Sequence, residues 1–214
     1  MFTWKKSSLD SYSFLKRSFD LIFSLGFLVI FSPLFLIIAL LIKLSSKGPV
    51  FYRSQRVGLA NKPISCLKFR TMYLDAENRL NTLLSQNPSL HQEWVQYQKI
   101  KQDPRILPIG RFLRKTSLDE LPQFFNVLLG DLSVVGPRPF YEHQVKEYLG
   151  DKVDKFLSVK PGITGLWQVS GRNLLTFTER LVLEETYIDN LSFLKDCQII
   201  LKTLPAVISS KGAY

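Results

Sequence analysis

The strongest constraint on this chain is an uncharged apolar run near its N-terminus. Residues 21–42 read LIFSLGFLVIFSPLFLIIALLI and contain no charged side chain. As a helix this run would be about 33 Å long, which is enough to cross a hydrocarbon core of about 30 Å. It is too long for a secretory signal peptide, and its downstream flank lacks the small-residue cleavage pattern. The sequence therefore predicts a helix that enters a membrane.

Two arrangements of that helix fit the sequence, a straight span and a re-entrant helix that returns to the same face. Its length favours the span. Ser32 and Pro33 lie near its middle, where a proline removes a backbone hydrogen bond and a serine can satisfy the groups that the break frees. Both flanks are basic, whereas a single crossing normally has one strongly positive side. The break and the flanks favour the re-entrant arrangement, and the sequence leaves both open.

Composition limits the class of protein that follows this run. The chain has 214 residues, is 46% hydrophobic and has a formal net charge of +10, which excludes an intrinsically disordered chain and favours anionic partners. With only two cysteines, Cys66 and Cys197, it offers neither a disulfide framework nor a cysteine-based zinc site. We expect a membrane segment over residues 1–47 and a reduced, cytosol-facing domain over residues 48–214.

Local patterns predict a mixed α/β, mostly helical fold with a small β-hairpin or sheet and interfacial amphipathic helices. Two strand-like runs flank a turn at residues 58–63, and a helix with leucines on one face covers residues 75–85. Ser89 and Gln92 have capping-box spacing for a second helix. A basic amphipathic helix is expected within residues 105–115, and an amphipathic or core helix within residues 187–208.

The most informative run is RKTSLDELPQFFNVLLGDLSVVGPRP at residues 114–139. Ser117 and Glu120 have capping-box spacing, which predicts that Asp119 and Glu120 lie at the N-terminus of a helix running to residue 129. Free backbone N–H groups there attract phosphate oxygens. One carboxylate could attack phosphorus and the other could hold Mg²⁺. The alternative is that both are ordinary caps that complement the helix dipole.

Further residues could bind an anion. Arg114 stands beside the carboxylate pair, and flanking prolines restrict the backbone around Arg138, although a rigid turn with a structural salt bridge would look the same. The run KPGITGLWQVSGR contains glycines that could bring backbone amides to an anion. Its Trp167 could stack on a base or pack in the core. Lys68 and Arg70 are further cations, with ordinary surface charge as the alternative.

Together these residues resemble a known family. The motifs FSPLF, KFRTM, RKTSLDELPQ, NVLLGDLSVVGPRP and KPGITGLWQVSGRN, in this order, are similar to those of the monotopic phosphoglycosyl transferases, the bacterial sugar transferase family. Each motif alone is weak, but the ordered set is highly specific. The resemblance covers nearly the whole chain, and it implies a minimal catalytic module without the additional N-terminal domains of longer members.

The resemblance implies a reaction and a set of site residues. A UDP-sugar would donate sugar-1-phosphate to polyprenyl phosphate, such as undecaprenyl phosphate, with release of UMP and an aspartyl–phosphosugar intermediate. Asp119 would be the nucleophile, and Glu120 would help to hold Mg²⁺. The family's Ser-Pro break at Ser32 and Pro33 implies a re-entrant helix. The residues implied to contact phosphate or substrate are Arg114, Arg138, Arg172, Lys68, Arg70 and Gln168.

The resemblance also implies partners and a location. The enzyme would act at the cytoplasmic face of the bacterial inner membrane, in contact with lipid and without a nucleic-acid partner. The run around YIDNLSFLKD and the KGAY ending look more like the branch that transfers galactose or glucose phosphate than the diacetamido-sugar branch. Oligomeric state stays open, and a homodimer is compatible with the sequence. One alternative is a membrane-anchored basic scaffold protein. Another is an ordinary glycosyltransferase, which would release UDP, or a different lipid phosphotransferase.

Overall fold

The computed structural model describes residues 6–91, 100, 103–171 and 174–208, with side chains described from residue 12 to residue 207 within these ranges. Described residues form a mostly helical fold with two small sheets, which confirms the predicted mixed class and the hairpin. The helices are α1 (Lys6–Ile30), α2 (Ser32–Ser45), α3 (Ala76–Gln86), α4 (Pro108–Thr116), α5 (Gln123–Leu129), α6 (Glu142–Gln144), α7 (Val153–Phe156), α8 (Leu166–Ser170), α9 (Phe177–Asp189) and α10 (Phe193–Ile208). The strands are β1 (Phe51–Val57), β2 (Pro63–Phe69), β3 (Ser133–Val135) and β4 (Gly162–Thr164).

The apolar run forms a bent helix pair. Within the described ranges no single helix is long and apolar enough to cross a membrane, whereas Tyr12–Ile30 and Ser32–Ser45 qualify together and meet at 61°. Pro33 has no N–H to donate to the carbonyl of Val29, and Ser32 Oγ donates to that oxygen at 2.8 Å instead. The serine therefore satisfies a carbonyl that the proline leaves free, as the sequence predicted.

A polar stripe on α1 joins the helix pair to the rest of the fold. Its side chains recur about every fourth residue and therefore share one helix face. The contacts run from Lys16 Nζ to Asp196 Oδ2 (2.6 Å), from Arg17 Nη1 to Val127 O (2.7 Å) and from Val134 N to Asp20 Oδ1 (2.9 Å). At the other end of the pair, Arg70 of the β2 end donates to the carbonyls of Ser46 and Lys47 at 2.8 and 2.7 Å. Both ends of the pair are thus held by the same domain.

The hairpin and α5 carry the central part of the site. Strands β1 and β2 pair antiparallel, with Tyr52 opposite Lys68 and Arg56 opposite Ile64. Asn126 of α5 accepts a hydrogen bond from Leu67 N and donates to Ser65 O, both at 2.8 Å. The amide side chain thus occupies the free edge of β2 as a neighbouring strand would. It fixes the helix after the carboxylate pair against the strand that bears Lys68.

Close backbone approach positions the second sheet. Strands β3 and β4 are parallel, and Gly136 N donates to Thr164 O at 2.9 Å just beyond β3. A Cβ on Gly162 or Gly165 would overlap the backbone of Gly136. We expected the glycines of KPGITG to admit an anion. The structure uses Gly162 and Gly165 to bring the loop after β3 against the β4 segment.

Several predicted boundaries need correction. The capping box at Ser117 and Glu120 does not form, because Ser117 has a left-handed backbone (φ 58°) and makes no side-chain capping bond. The single helix expected to residue 129 is a 3₁₀ turn at Leu118–Glu120 followed by α5, with Pro122 at the N-cap. The helix expected within residues 187–208 is the end of α9 and all of α10. The second helix expected after Ser89 lies largely outside the described residues.

We predict that Gly110→Ala destabilises the fold. An added Cβ would overlap the carbonyl of Thr71, so α4 would have to move away from the end of β2. Overpacking of this kind costs about 2 kcal/mol. Thermal unfolding of purified protein should show the loss. Gly26→Ala is the control, since nothing lies within 4 Å of its added Cβ, and an equal loss in both variants would contradict the prediction.

Candidate active site

Glu120 is at the centre of a cluster of charges. Lys68 Nζ donates to Glu120 Oε1 at 2.7 Å, and Arg138 Nη2 donates to the same oxygen at 3.3 Å. Burial alone would raise the pKa of this carboxyl, but the two cations hold it well below its usual range. Glu120 is therefore a permanent anion, and it gathers the cations of β2 and of the loop after β3 at one place.

Asp119, the neighbouring carboxylate, is in a different state. No described residue donates a hydrogen bond to its side chain or forms an ion pair with it. Burial raises its pKa to about 6, the charge of Glu120 adds to that rise, and Lys68, Arg114 and Arg138 oppose it. At neutral pH Asp119 is mostly ionised and has no fixed partner, which are the properties required of an attacking carboxylate.

Arg114 reaches the site from α4. Its Nε donates to Thr71 Oγ1 at 2.9 Å, which ties the last turn of α4 to the chain just beyond β2. Gly110, one turn earlier, lets α4 approach Thr71 closely. Arg114 lies near enough to Asp119 for each charge to shift the pKa of the other. Arg114, Lys68 and Arg138 are candidate phosphate contacts from the sequence, and the structure brings these three residues together around the carboxylate pair.

Two further residues of this region were missed by sequence reasoning. Arg56 of β1 lies on the same face of the hairpin as Lys68, and its guanidinium carbon stacks 3.1 Å from the ring centroid of Tyr141. Its charge acts on Glu120 and Arg138. Strand periodicity could have found Arg56, because residues 54 and 56 pair with residues 66 and 64 on the face that bears Lys68. No sequence signal placed Tyr141.

Three predicted site residues stand elsewhere or are not described. Arg70 is 4% exposed and its guanidinium binds the main chain after α2, so it supports the helix pair and does not face the carboxylates. Gln168 lies on α8, with Nε2 3.5 Å from Ile163 O, next to Trp167, whose ring is 5.6 Å from the Arg138 guanidinium. Arg172 lies outside the described residues.

The residues present fit a magnesium ion only in part. The described side chains contain no group of three or more His, Cys, Asp or Glu that could hold a metal. Asp119 and Glu120 offer two carboxylates, and Mg²⁺ commonly binds one or two carboxylates together with substrate phosphates and water. The donor set fits an ion completed by a phosphorylated ligand.

The arrangement defines a class of protein. A cluster of four described cations, Lys68, Arg56, Arg114 and Arg138, surrounds two carboxylates, of which Glu120 is ion-paired and Asp119 has no partner among the described residues. Such a site stabilises the negative charge of a phosphoryl group in transfer. An exposed apolar helix pair lies beside this site, and the fold and the site are compatible with a group-transfer enzyme.

Comparison with known proteins agrees with this class. Residues 11–210 match the profile of the bacterial sugar transferases. The exopolysaccharide production protein ExoY of Sinorhizobium fredii is 42% identical over 93% of this chain and 88% of its own length. The undecaprenyl-phosphate galactose phosphotransferase of Salmonella typhimurium is 46% identical over 95% of this chain but only 42% of its own length. The sugar transferase EpsL of Bacillus subtilis is 37% identical over 92% of this chain and 89% of its length.

The chain therefore belongs to the bacterial sugar transferase family, and it is a phosphoglycosyl transferase. The family predicted from the ordered motifs is confirmed.

We predict that Asp119 in metal-free protein titrates near pH 6 and that Glu120→Gln lowers its pKa. The change removes the neighbouring negative charge, and Lys68 and Arg138 then act on Asp119 alone. Carbon-13 NMR of aspartate-labelled protein would follow the titration, with Asp119→Asn to assign the resonance. A midpoint near 4, or an increase in the Glu120→Gln variant, would contradict the prediction.

Proposed function

We propose that this enzyme transfers sugar-1-phosphate from a UDP-sugar to polyprenyl phosphate, releases UMP and forms a polyprenyl diphosphate-sugar through a covalent intermediate on Asp119. The names of two relatives support the acceptor. One is called an undecaprenyl-phosphate galactose phosphotransferase, and the other, from Klebsiella pneumoniae, a UDP-glucose:undecaprenyl-phosphate glucose-1-phosphate transferase. The chain spans only 42% and 41% of these relatives, although the matches cover 95% and 93% of this chain.

The observation that carries the proposal is the contrast between the two adjacent carboxylates. Glu120 is held by Lys68 and Arg138, whereas Asp119 has no described partner and a pKa raised to about 6 by burial and by its neighbour. A carboxylate that already forms strong ion pairs is a poor nucleophile, because attack would require those pairs to break. Asp119 can attack without such a loss, and Glu120 keeps the surrounding cations in place.

The two half-reactions use one pocket. An oxygen of Asp119 attacks the sugar-bearing phosphorus of the donor, and the bond from that phosphorus to the bridging oxygen breaks, so UMP leaves with the bond electrons. A phosphate oxygen of the acceptor then attacks the same phosphorus and releases the Asp119 carboxylate. Both steps place extra negative charge on the phosphoryl oxygens, which Arg114, Arg138 and Lys68 are placed to stabilise. No proton transfer is required in either step.

Magnesium belongs to this proposal. Asp119 and Glu120 are the side chains that would hold it, and bound Mg²⁺ would offset the charge of the diphosphate donor. The residues Arg56, Arg114 and Arg138 supply fixed positive charge on the other sides of the pair. Donor recognition therefore does not depend on one cation alone.

The helix pair supports a re-entrant position in the cytoplasmic face of the bacterial membrane. Most of its exposed side chains are apolar on both helices, while its other side packs on the domain at Phe27 against Phe124 (4.1 Å between centroids) and at Phe35 against Phe69 (5.3 Å). Because the domain holds both ends and the middle of the pair, a spanning arrangement would draw polar parts of the domain into hydrocarbon. A re-entrant pair keeps the carboxylates near the headgroups, where an acceptor phosphate lies.

We predict that Asp119→Asn abolishes the covalent intermediate and reduces UMP release by a factor of about 10³ or more, because the amide is not a nucleophile. Wild-type enzyme mixed with UDP-galactose or UDP-glucose should gain a sugar-phosphate mass on the peptide that contains Asp119. Asp154→Asn, an exposed change on α7, is the matched control and should leave both readouts unchanged. A sugar-phosphate mass on the Asp119→Asn variant would exclude Asp119 as the nucleophile. Release of UDP instead of UMP by the wild type would identify a glycosyltransferase.

We predict that the start of α1 and the catalytic domain face the same side of the membrane. Single cysteines at Ser13 and at Glu77, both exposed, would be introduced after Cys66 and Cys197 are replaced by alanine. An impermeant maleimide should label neither cysteine in intact spheroplasts and both after permeabilisation. Labelling of Ser13→Cys in intact spheroplasts would show that the helix pair crosses the bilayer.

A further inference from the structure

One face of α9 holds the loop that carries Arg138. Arg180, Glu184 and Tyr187 lie at i, i+4 and i+7 and therefore share that face. Glu184 Oε1 accepts a hydrogen bond from Arg138 N at 2.9 Å, and Arg180 Nη2 donates to Arg138 O at 3.0 Å. Tyr187 OH donates to Asp196 Oδ1 at 2.7 Å and lies 3.3 Å from Val135 O. The helix thus binds the main chain of the loop at both polar groups of one residue.

The Arg180–Glu184 pair is poorly built for stability alone. Glu184 is 0% exposed and Arg180 is 7% exposed, yet Arg180 Nε stands 3.7 Å from Glu184 Oε1. Among the described residues, neither Arg180 Nε nor Glu184 Oε2 has a hydrogen-bond partner. Burial raises the pKa of Glu184 to about 7 and lowers that of Arg180 to about 10. A buried pair with such loose geometry repays little of its desolvation cost.

Aromatic rings fix the pair in place. The Arg180 guanidinium lies 4.6 Å from the ring centroid of Phe140, 5.1 Å from that of Trp167 and 5.3 Å from that of Phe177. These rings restrict the guanidinium on several sides and attract its charge. Packing against these rings therefore sets the position of the guanidinium. In the described part of the chain, the side-chain hydrogen bonds of Arg180 and Glu184 go to the main chain of Arg138.

We propose that Arg180 and Glu184 are positioning residues that clamp the main chain of Arg138 and so hold its guanidinium on Glu120. The proposal rests on the role of the Arg138 and Glu120 cluster in the proposed function. Pro137 and Pro139 restrict the backbone on either side, but neither has an N–H with which to anchor the loop. The Arg138 N–H is the only amide hydrogen between residues 136 and 140, and Glu184 receives it.

The exchange rate of the Arg138 amide hydrogen tests the hydrogen bond to Glu184 independently of enzyme activity. In Glu184→Ala, the Arg138 amide of the full-length, detergent-purified chain should exchange about tenfold faster or more, because its acceptor is lost. Glu184→Gln keeps an acceptor oxygen and should restore slow exchange, which also covers the case in which Glu184→Ala folds poorly. Glu185→Ala is the matched control. Glu185 is the next residue along α9, and its carboxylate pairs with Lys152 and Lys155 instead of with Arg138.

Enzyme kinetics then distinguish an effect of Glu184 that acts through Arg138 from a general effect on the stability of the fold. Glu184→Ala should lower the rate of UMP release about tenfold or more in wild-type background and change it little in Arg138→Ala background, because the clamp acts through Arg138. Glu184→Gln should recover most of the loss, and Glu185→Ala should lose nothing. The donor is whichever of UDP-galactose and UDP-glucose the wild type turns over.

Two results would overturn the proposal. One is unchanged exchange of the Arg138 amide in Glu184→Ala. The other is a loss of UMP release that is equally large with and without Arg138, since the effect would then not pass through that residue. A wild type that releases no UMP from any UDP-sugar would overturn the proposed function instead, and the exchange measurement would still decide whether the clamp exists.

Discussion

One carboxylate, Glu120, joins parts of the chain that are far apart in sequence. Lys68 is 52 residues before it and Arg138 is 18 residues after it, and both donate to the same oxygen. One carboxylate and two cations meet at this point. An unpaired charge removed from water costs more free energy than a charge with an opposite partner, so each of these groups depends on the others. The β2 strand, the 3₁₀ turn and the loop after β3 are therefore positioned relative to one another by a requirement of charge.

Polar contacts also connect the polar stripe of α1 to the rest of the fold. Lys16 and Tyr187 both donate to Asp196, and the Tyr187 hydroxyl oxygen also lies 3.3 Å from the carbonyl oxygen of Val135, the last residue before the loop that bears Arg138. A series of polar contacts thus runs from α1 towards the site. A helix that enters a membrane can slide or tilt at small cost, so in the proposed arrangement contacts of this kind would set the depth of the site more firmly than hydropathy alone.

Sequence reasoning succeeded where local pattern determines structure. Strand alternation located the hairpin, and the ordered motifs contain Lys68, Arg114, Glu120 and Arg138, which the structure brings together. It failed where a residue's role depends on a distant part of the chain. Strand residues two apart share a face, so Arg70 would be expected to lie on the same face as Lys68. Arg70 lies beyond the last residue of β2, however, and its side chain binds the main chain just after α2. The roles of Asn126 and Glu184 likewise depend on contacts 61 and 46 residues away, which no local pattern indicates.

The error at Ser117 has a physical cause that bears on the site itself. A serine three residues before a glutamate predicts a capping box, but here Ser117 ends α4 with a left-handed backbone, and the glutamate turns to Lys68 and Arg138. A left-handed serine is strained by about 1 kcal/mol. Had the capping box formed, Glu120 would bond to the main chain of Ser117 and both cations would lose their partner. The sequence that looks like a helix start is therefore used to place one carboxylate among cations, while its neighbour, Asp119, has no partner in the described part of the chain.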